Sequence, residues 1–599
     1  MATDMKILPR SEMNPDFCWN TKDLYESDEK WREAFEAIKP LADRVGAYKG
    51  TLGRDAATLL AYLQASEELS ETIERLYCYT MLRADEDTKN SAYQAMQGQI
   101  AGWLVQFSSA TAFDTPEIIA IPDETLAGFM ESEPALKKYE RHLTRIRLTK
   151  DHVLSEKEES LLAAAGEMAS APQKIFMTFN NADMKFPSVK DSEGKEYALT
   201  NGSYISLVES GDRVLRENAF KEFYRVYASY NHTMGAMLNA ETKKSSFYAK
   251  ARRYESARQG SLSANEVPEQ VYDSLIAAVH KNLPHMYRYM ALRKKAMRLD
   301  ELHMYDLYVG MLPEADKEVP FETAREEVLA SVKVMGEEYH AVMKQAFESR
   351  WIDIYENEGK RSGAYSCGTP VHPFVLLNYK NTLDSEFTLA HEMGHAMHSY
   401  LSSHHQPAIY SDYVLFVAEV ASTCNEALLM QHLLGKTSDK TQRAILINYF
   451  LEQFRTTLYR QTMFAEFEQK VHAMSGAGET LTGEVLNEIY LELNKLYYGE
   501  NVISDDEIAY EWSRIPHFYR PFYVYQYATG FSAAMALSQR ILKGGPEAVN
   551  DYLNFLKGGC STDPISLLKI AGVDMGTPAP VEEALALFGS LVDELETLL

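Results

Sequence analysis

Cysteine is scarce in this sequence, and its distribution argues against two kinds of architecture. The 599 residues contain five cysteines at scattered positions without a C-x-x-C pair, which disfavours a disulfide framework and a zinc ribbon. The chain also lacks an uncharged apolar run long enough to cross a bilayer, and its first residues lack the pattern of a signal peptide. We therefore expect a soluble cytoplasmic protein without a membrane partner.

Basic residues are fewer than acidic residues in this sequence. The sequence has 60 lysines and arginines against 86 aspartates and glutamates, and its net charge is −26 at pH 7. Such a field repels nucleic-acid phosphates, so we expect no nucleic-acid partner. With 31 glycines, 21 prolines and 46% hydrophobic residues, the composition is that of a globular protein with enough chain for two or three lobes.

Apolar residues at helical spacing dominate the chain, in long stretches without proline or glycine. Short strand-like runs interrupt this pattern at 186–189, 197–200, 351–355, 363–367 and 374–379. The first two flank a turn and predict a hairpin. We therefore predict a mainly α protein with one or two small β-sheets, and a loose domain boundary near 190–205.

One segment, His391-Glu392-Met-Gly-His395, carries a metal-binding pattern. On a helix the two histidines project from one face about a turn apart, and Glu392 can reach a water on the same ion as general base. This is the H-E-x-x-H geometry of zinc hydrolases. The alternative is a polar helix face with two satisfied histidines. A metzincin site would need glycine at 398 and histidine at 401, where this chain has His398 and Leu401.

The third ligand predicted from the sequence is Glu419. It lies within an almost entirely apolar stretch that predicts a buried helix, where an unpaired carboxylate would cost free energy. A metal ion would remove that cost. Glu426, two turns later on the same face, is a candidate hydrogen-bond acceptor for a ligand histidine, and Asp412 is a weaker candidate ligand. We therefore predict one Zn²⁺ per chain, held by His391, His395 and Glu419.

Three further segments join this motif in resembling one known family. They are Gly359-Lys-Arg-Ser-Gly-Ala-Tyr365, Glu419-Val-Ala-Ser-Thr and His517-Phe-Tyr-Arg-Pro-Phe-Tyr-Val-Tyr-Gln-Tyr527-Ala-Thr-Gly530. Over nearly the whole chain, the sequence is similar to oligoendopeptidase F of the thimet oligopeptidase (M3) family. The resemblance implies a two-lobed, mostly α-helical zinc metallopeptidase with a deep channel that cuts oligopeptides in the cytoplasm. We therefore divide the chain into a helical N-terminal region, 1–195, and a zinc metallopeptidase catalytic region, 196–599.

The same resemblance points to a second group of residues. In thimet-type relatives a histidine is followed by spaced tyrosines that reach toward the scissile carbonyl, and here tyrosines follow His517. If the segment is helical, Tyr523 and Tyr527 share one face and Tyr525 points away. We therefore predict His517, Tyr523 and Tyr527 as the groups that stabilise the oxyanion. For any single tyrosine, an aromatic core patch is the alternative.

The strand-like run 362–367 also has two interpretations. Its small residues Gly363 and Ala364 would let an extended peptide approach and pair with its backbone, as in strand addition. A plain hairpin is the alternative.

Three classes of function remain open. We favour a zinc-dependent endopeptidase that hydrolyses internal bonds of unstructured oligopeptides. H-E-M-G-H with a later glutamate also occurs in carboxypeptidases and dipeptidyl carboxypeptidases of the angiotensin-converting type, although we can place no fixed cation for a terminal carboxylate. The third class is a non-enzymatic helical scaffold, which would hold no stoichiometric metal. These residues give no prediction of oligomeric state.

Overall fold

The computed structural model describes residues 7–312 and 318–599, and it is 72% helical. Its β-strands form sheets of only two or three strands, which confirms the predicted mainly α class. Within these residues, no helix has both the length and the apolar character that crossing a bilayer would need.

Helices run through the whole described chain. The first fifteen are α1 (Asp28–Gly46), α2 (Ala56–Glu86), α3 (Ser91–Thr111), α4 (Asp114–Ala120), α5 (Asp123–Ser132), α6 (Glu140–Leu148), α7 (Glu156–Ala164), α8 (Gly166–Ala169), α9 (Ala171–Thr178), α10 (Tyr204–Val208), α11 (Arg213–Ser229), α12 (Asn231–Ala251), α13 (Ala257–Ser263), α14 (Glu269–Lys281) and α15 (Leu283–Ala296). The others are α16 (Phe321–Ser331), α17 (Glu337–Glu348), α18 (Leu383–His405), α19 (Ala408–Ser411), α20 (Leu415–Lys436), α21 (Lys440–Gln453), α22 (Arg460–Gly476), α23 (Gly483–Tyr498), α24 (Tyr525–Leu556), α25 (Pro564–Ile570) and α26 (Ala579–Leu598).

The strands are short and fall into three sheets. They are β1 (Val189–Lys190), β2 (Glu196–Tyr197), β3 (Leu302–His303), β4 (Ile352–Asp353), β5 (Tyr365–Cys367), β6 (Phe374–Leu376) and β7 (Val502–Ile503). Antiparallel β1 and β2 form the predicted hairpin. The three later runs form one sheet in the order β4-β6-β5, with β4 parallel and β5 antiparallel to β6. The parallel pair of β3 and β7 was not predicted.

By internal contacts the chain forms two compact units, each made of three separate segments. The first unit comprises Met1–Val153, Lys317–His432 and Leu537–Gly572. The second comprises Leu154–Asp316, Leu433–Ala536 and Val573–Leu599. The segments of the two units alternate along the chain, so no single cut in the sequence separates the units. The predicted division at residue 195 stays a prediction.

The core of the first unit supports the helix that carries the H-E-x-x-H motif. Trp31 of α1 is fully buried, and its indole N–H donates to the Leu76 carbonyl of α2 at 2.9 Å. Phe374 and Leu376 of β6 belong to the same cluster of buried side chains. Helix α18 packs against β5 and β6, so this core fixes its position.

The second unit contains a buried ion cluster around Glu511. Arg460 and Arg514 donate to one oxygen of its carboxylate at 2.6 and 2.7 Å, and the Tyr490 hydroxyl donates to the other. Although burial opposes the shift, the two arginines lower the pKa of Glu511 to about 2. The ionised cluster ties α22 and α23 to the 3-10 helix Asp506–Arg514. Breaking it would leave buried arginine charges without a partner.

Candidate active site

Helix α18 presents the two predicted histidine ligands side by side. The helix begins after Thr382, whose hydroxyl caps it by accepting the Ser385 N–H at 3.1 Å. The Nε2 atoms of His391 and His395 lie 3.2 Å apart, and the ring centroids 4.8 Å apart. The four-residue spacing therefore places both imidazoles on one face, as predicted.

Glu419 of α20 brings a third donor atom to these histidines. Its Oε2 lies 3.4 Å from His391 Nε2 and 3.7 Å from His395 Nε2. Tetrahedral zinc with bonds of about 2.1 Å separates its ligand atoms by about 3.4 Å, so the donor set fits this ion. In the part of the chain that the structure describes, these side chains form the one group of three or more His, Cys, Asp or Glu residues with donor atoms within 4.8 Å.

The close approach of α18 and α20 depends on Gly394. A Cβ placed on this residue would lie 2.5 Å from Ser422 Cα and 2.7 Å from the Ala421 carbonyl oxygen. Both neighbours are backbone atoms, so a larger residue would push the two helices apart. The glycine of the motif thus sets the distance from the histidines to Glu419, a role that sequence analysis did not assign.

Glu426 contacts the first histidine on the side away from the cluster. Its Oε1 accepts from His391 Nδ1 at 2.6 Å, the contact predicted for it. Burial opposes protonation of His391, but its hydrogen bonds to Glu419 and Glu426 raise the pKa well above the ordinary value. Burial and the charge of His391 lower the pKa of His395 to about 4. The carboxylates of Glu419 and Glu426 therefore favour a positive charge next to them. The same negative charge would also favour a bound metal cation.

Glu392 lies beside the ligands without joining the group of donor atoms. The residue is 7% exposed. Burial and the charges of Glu419 and Glu426 raise the pKa of its carboxyl to about 7, while the charge of His391 and a hydrogen bond from the Ser366 backbone oppose the shift. A carboxyl that changes protonation near neutral pH suits a group that accepts and returns a proton. The Ser366 contact was not predicted, because it joins a strand to a helix and no local periodicity relates the two.

Two neighbouring candidates stay outside the ligand group. His398 is fully buried and stacks on Tyr413 with 3.7 Å between ring centroids. Within the described ranges, neither ring nitrogen of His398 has a hydrogen-bond partner, and burial lowers its pKa to about 3. Asp412 is exposed and does not belong to the donor group. His398 is therefore a neutral packing residue, and the weaker ligand assignment for Asp412 fails.

The second predicted group forms a compact cluster in the second unit. His517 lies in the 3-10 helix Pro516–Tyr519, and its ring centroid is 5.9 Å from that of Tyr523 and 6.1 Å from that of Tyr527. The Tyr527 hydroxyl donates to the Tyr523 hydroxyl at 3.3 Å. The structure thus brings together the three side chains that the sequence grouped, while their catalytic role stays a prediction.

Tyr525 and Arg520 complete the surroundings of this cluster. Tyr525 is fully buried, and its ring centroid lies 5.1 Å from that of Tyr272. Arg520, which sequence analysis did not single out, lies over the Tyr523 ring at 4.3 Å. Burial and the charges of nearby arginines, Arg520 first, lower the pKa of His517. The imidazole is therefore biased toward the neutral form, which still has one N–H to donate.

Strand β5 packs against α18 and lies at the edge of its sheet. In the described residues it pairs only with β6. The Asn378 side chain donates to the carbonyls of Arg361 and Gly363 at 3.0 and 2.8 Å, which fixes the turn before the strand. The antiparallel pair of β5 and β6 agrees with the hairpin interpretation, and strand addition at the other edge of β5 stays a prediction.

Two family models match this chain, and together they cover most of it. The family model described as Peptidase family M3 matches residues 206–587, and the one described as Oligopeptidase F matches residues 117–186. The first match includes His391, His395, Glu419 and every residue of the tyrosine cluster. The two matches lie on either side of the predicted division at residue 195, which itself stays a prediction.

Individual relatives are similar to this chain over nearly its full length. The chain is 46% identical to the oligopeptidase PepF of Bacillus subtilis, an alignment that covers 100% of this chain and 90% of that protein. It is 42% identical to an oligoendopeptidase F homolog of Lactococcus lactis, with 98% of each chain covered. The crystal structure of oligoendopeptidase-F from Enterococcus faecium is similar with a TM-score of 0.75 at 39% identity, covering 95% of this chain and 99% of that one.

Proposed function

Because the chain belongs to peptidase family M3, we propose that it is a zinc-dependent endopeptidase that hydrolyses internal bonds of unstructured oligopeptides. Family membership makes the chain a metal-dependent enzyme that hydrolyses peptides. Zinc, its stoichiometry of one per chain, the internal cut and the residue roles are the parts that we propose. The observation that carries the proposal is the group His391, His395 and Glu419, whose donor atoms have the spacing of a tetrahedral zinc site.

The reaction needs an activated water and a base. His391, His395 and Glu419 would hold one Zn²⁺, which when bound lowers the pKa of water and polarises the scissile carbonyl. The carboxylate of Glu392 accepts a proton from the attacking water and later delivers it to the leaving amine nitrogen. Burial supports this double role, since it raises the pKa of Glu392 to about 7 and makes both protonation states accessible.

The charge that develops on the carbonyl oxygen needs hydrogen-bond donors. In this proposal, His517, Tyr523 and Tyr527 donate to that oxyanion. Tyrosine hydroxyls suit the task because they are neutral donors that add no charge to the substrate-free site. The contact between the Tyr527 and Tyr523 hydroxyls supports a paired role, since the two groups already lie within 3.3 Å.

The substrate class rests on the relatives and on the geometry of β5. The names of the relatives, oligopeptidase and oligoendopeptidase, support short peptides cut internally. The position of β5 at the edge of its sheet supports an extended peptide, which would add beside β5 as a further strand. We also propose a cytoplasmic location, which agrees with scattered cysteines that suggest no disulfide framework.

Product mapping with a matched variant tests the proposal. Wild-type protein and Glu392→Gln are incubated with a mixed peptide pool and with a stably folded protein, and products are identified by mass spectrometry. The wild type should cut peptides internally and leave the folded protein intact. Glu392→Gln should retain its metal while kcat falls by at least about 10², the low end for acid–base groups. Asp384→Asn, an exposed change on the same helix, should leave kcat unchanged.

Three results would contradict parts of the proposal. Sequential trimming from one peptide end would favour the carboxypeptidase alternative. Loss of metal from Glu392→Gln would make Glu392 a ligand rather than a base. A wild-type protein that holds no zinc after dialysis and cuts no peptide would overturn the whole assignment.

A further inference from the structure

The peptide bond between Pro521 and Phe522 is held at both of its polar atoms. The Ser261 hydroxyl donates to the Pro521 carbonyl oxygen at 2.9 Å. On the other side, the Phe522 N–H donates to Glu468 Oε1 at 3.0 Å. These contacts come from α13 and α22, so two helices fix the orientation of a single peptide plane.

The residue after this peptide bond has an unusual backbone. Phe522 has φ of +55°, in the left-handed region that side chains larger than glycine seldom adopt. The residue is 2% exposed, and its ring centroid lies 4.7 Å from that of His472 and 5.8 Å from that of Tyr272. Such a conformation persists only where the surroundings over-determine it, and it is commoner at functional sites.

Holding the Phe522 N–H with a buried Glu468 carboxyl costs free energy. The residue is 1% exposed, and burial raises the pKa of its carboxyl well above the ordinary value. Its second oxygen, Oε2, has no hydrogen-bond partner within residues 7–312 and 318–599. A buried polar atom without a partner lowers stability, so a purely structural role gives no reason for a carboxyl here.

The backbone that Glu468 holds leads directly into the tyrosine cluster. Tyr523 follows Phe522, and its hydroxyl accepts from Tyr527 at 3.3 Å. We propose that Glu468 is a positioning residue for catalysis, which acts through the strained Phe522 backbone to aim the Tyr523 hydroxyl. This inference rests on the proposed function, in which Tyr523 donates to the oxyanion. Ser261 assists from the opposite end of the same peptide bond.

A double-mutant cycle separates positioning from general structural support. The variants are Glu468→Leu and Glu468→Gln, each made in the wild type and in Tyr523→Phe, with kcat, KM, metal content and thermal stability measured. Glu468→Leu removes the acceptor and should lower kcat about 10- to 10²-fold with KM nearly unchanged, because small misplacements of a catalytic group have effects of this size. Glu468→Gln keeps an acceptor of the same size and should restore most of kcat.

The background lacking the Tyr523 hydroxyl gives the decisive comparison. In Tyr523→Phe, the Glu468→Leu change should cost almost no further kcat, because the group that it positions is already absent. Glu466→Leu is the matched control, since Glu466 is a buried carboxyl on the same helix that contacts Tyr497, His280 and Lys470. It should lower the melting temperature and leave kcat near the wild-type value.

Two outcomes would overturn the inference, and they are distinguishable. If Glu468→Leu lowers kcat by the same factor in both backgrounds, Glu468 does not act through Tyr523, and the proposed function stands. If Tyr523→Phe alone keeps wild-type kcat, the role of Tyr523 fails in the proposed function and the inference fails with it. Should Glu468→Leu not fold, the half-buried Ser261→Ala takes its place, with a smaller kcat loss that must also vanish in Tyr523→Phe.

Discussion

Removing the Glu426 carboxylate should weaken metal binding, although Glu426 is not one of the proposed metal ligands. Glu426 Oε1 accepts from His391 Nδ1 at 2.6 Å, which keeps the proton on Nδ1 and leaves Nε2 free to coordinate. Loss of such a partner costs about 10- to 100-fold in metal affinity, or about 1.4–2.7 kcal/mol. We expect Glu426→Ala near the upper value and Glu426→Gln near the lower, because the amide oxygen still accepts but carries no charge.

The assay is a competition titration of zinc against a coloured chelator at fixed pH. Glu327→Ala is the matched control, since Glu327 accepts from His432 Nε2 at 2.7 Å in a similar pair outside the donor group. The control should bind zinc like the wild type. The reasoning is refuted if Glu426→Ala also binds zinc with wild-type affinity, or if Glu327→Ala loses as much affinity as Glu426→Ala.

Three further changes test other parts of the structure. Gly394→Ala should push α18 and α20 apart and lower zinc affinity in the same titration; unchanged affinity would contradict the close contact. Tyr523→Phe and Tyr527→Phe should each lower kcat by about 10²–10³ with zinc retained, while Tyr525→Phe should not; the reverse pattern in steady-state kinetics would contradict the assignment. Glu511→Gln should melt at a lower temperature than the wild type at pH 7. Because the pKa of Glu511 is about 2 when folded and near 4.5 when unfolded, its stabilisation is complete above pH 4.5 and lost as the pH falls toward 2. The melting-temperature difference should therefore shrink over that range, and a constant difference would contradict the linkage.

The parts of the site that the sequence predicted are those set by local periodicity. His391 and His395 are one helical turn apart, and Glu419 and Glu426 are two turns apart on a second helix. Once each helix forms, these spacings leave little freedom in which side chains share a face. The cost of burying the Glu419 carboxylate then indicated that the two faces meet.

The parts that the sequence did not predict depend on contacts between distant segments. Gly394 matters only because the Ser422 backbone lies against it. The parallel pair of β3 and β7 joins segments about two hundred residues apart, and two-residue strands have no periodicity to detect. The left-handed backbone of Phe522 could not be predicted from its residue type, because phenylalanine seldom adopts it. Contacts with α13 and α22 hold the peptide bond before it.

The proximity of Tyr523 and Tyr527 was predicted from a helical spacing that applies only in part, and their catalytic role stays a prediction. Helix α24 begins at Tyr525, so Tyr523 lies in the turn before the helix and not on its face. The Gln526 N–H donates to the Tyr523 carbonyl at 3.3 Å, which forms a 3-10-type turn just before the helix. The spacing rule therefore selected Tyr523 and Tyr527 even though the segment is not fully helical.

Metal analysis of the wild type and His395→Ala tests the central claim most directly. After dialysis against metal-free buffer, both proteins are analysed for bound metal by mass spectrometry and assayed on an unstructured peptide. We expect one zinc per wild-type chain, and no tightly bound zinc and no peptide hydrolysis for His395→Ala. A His395→Ala protein that keeps one zinc per chain at wild-type affinity would contradict the assignment of His391, His395 and Glu419 as the metal ligands.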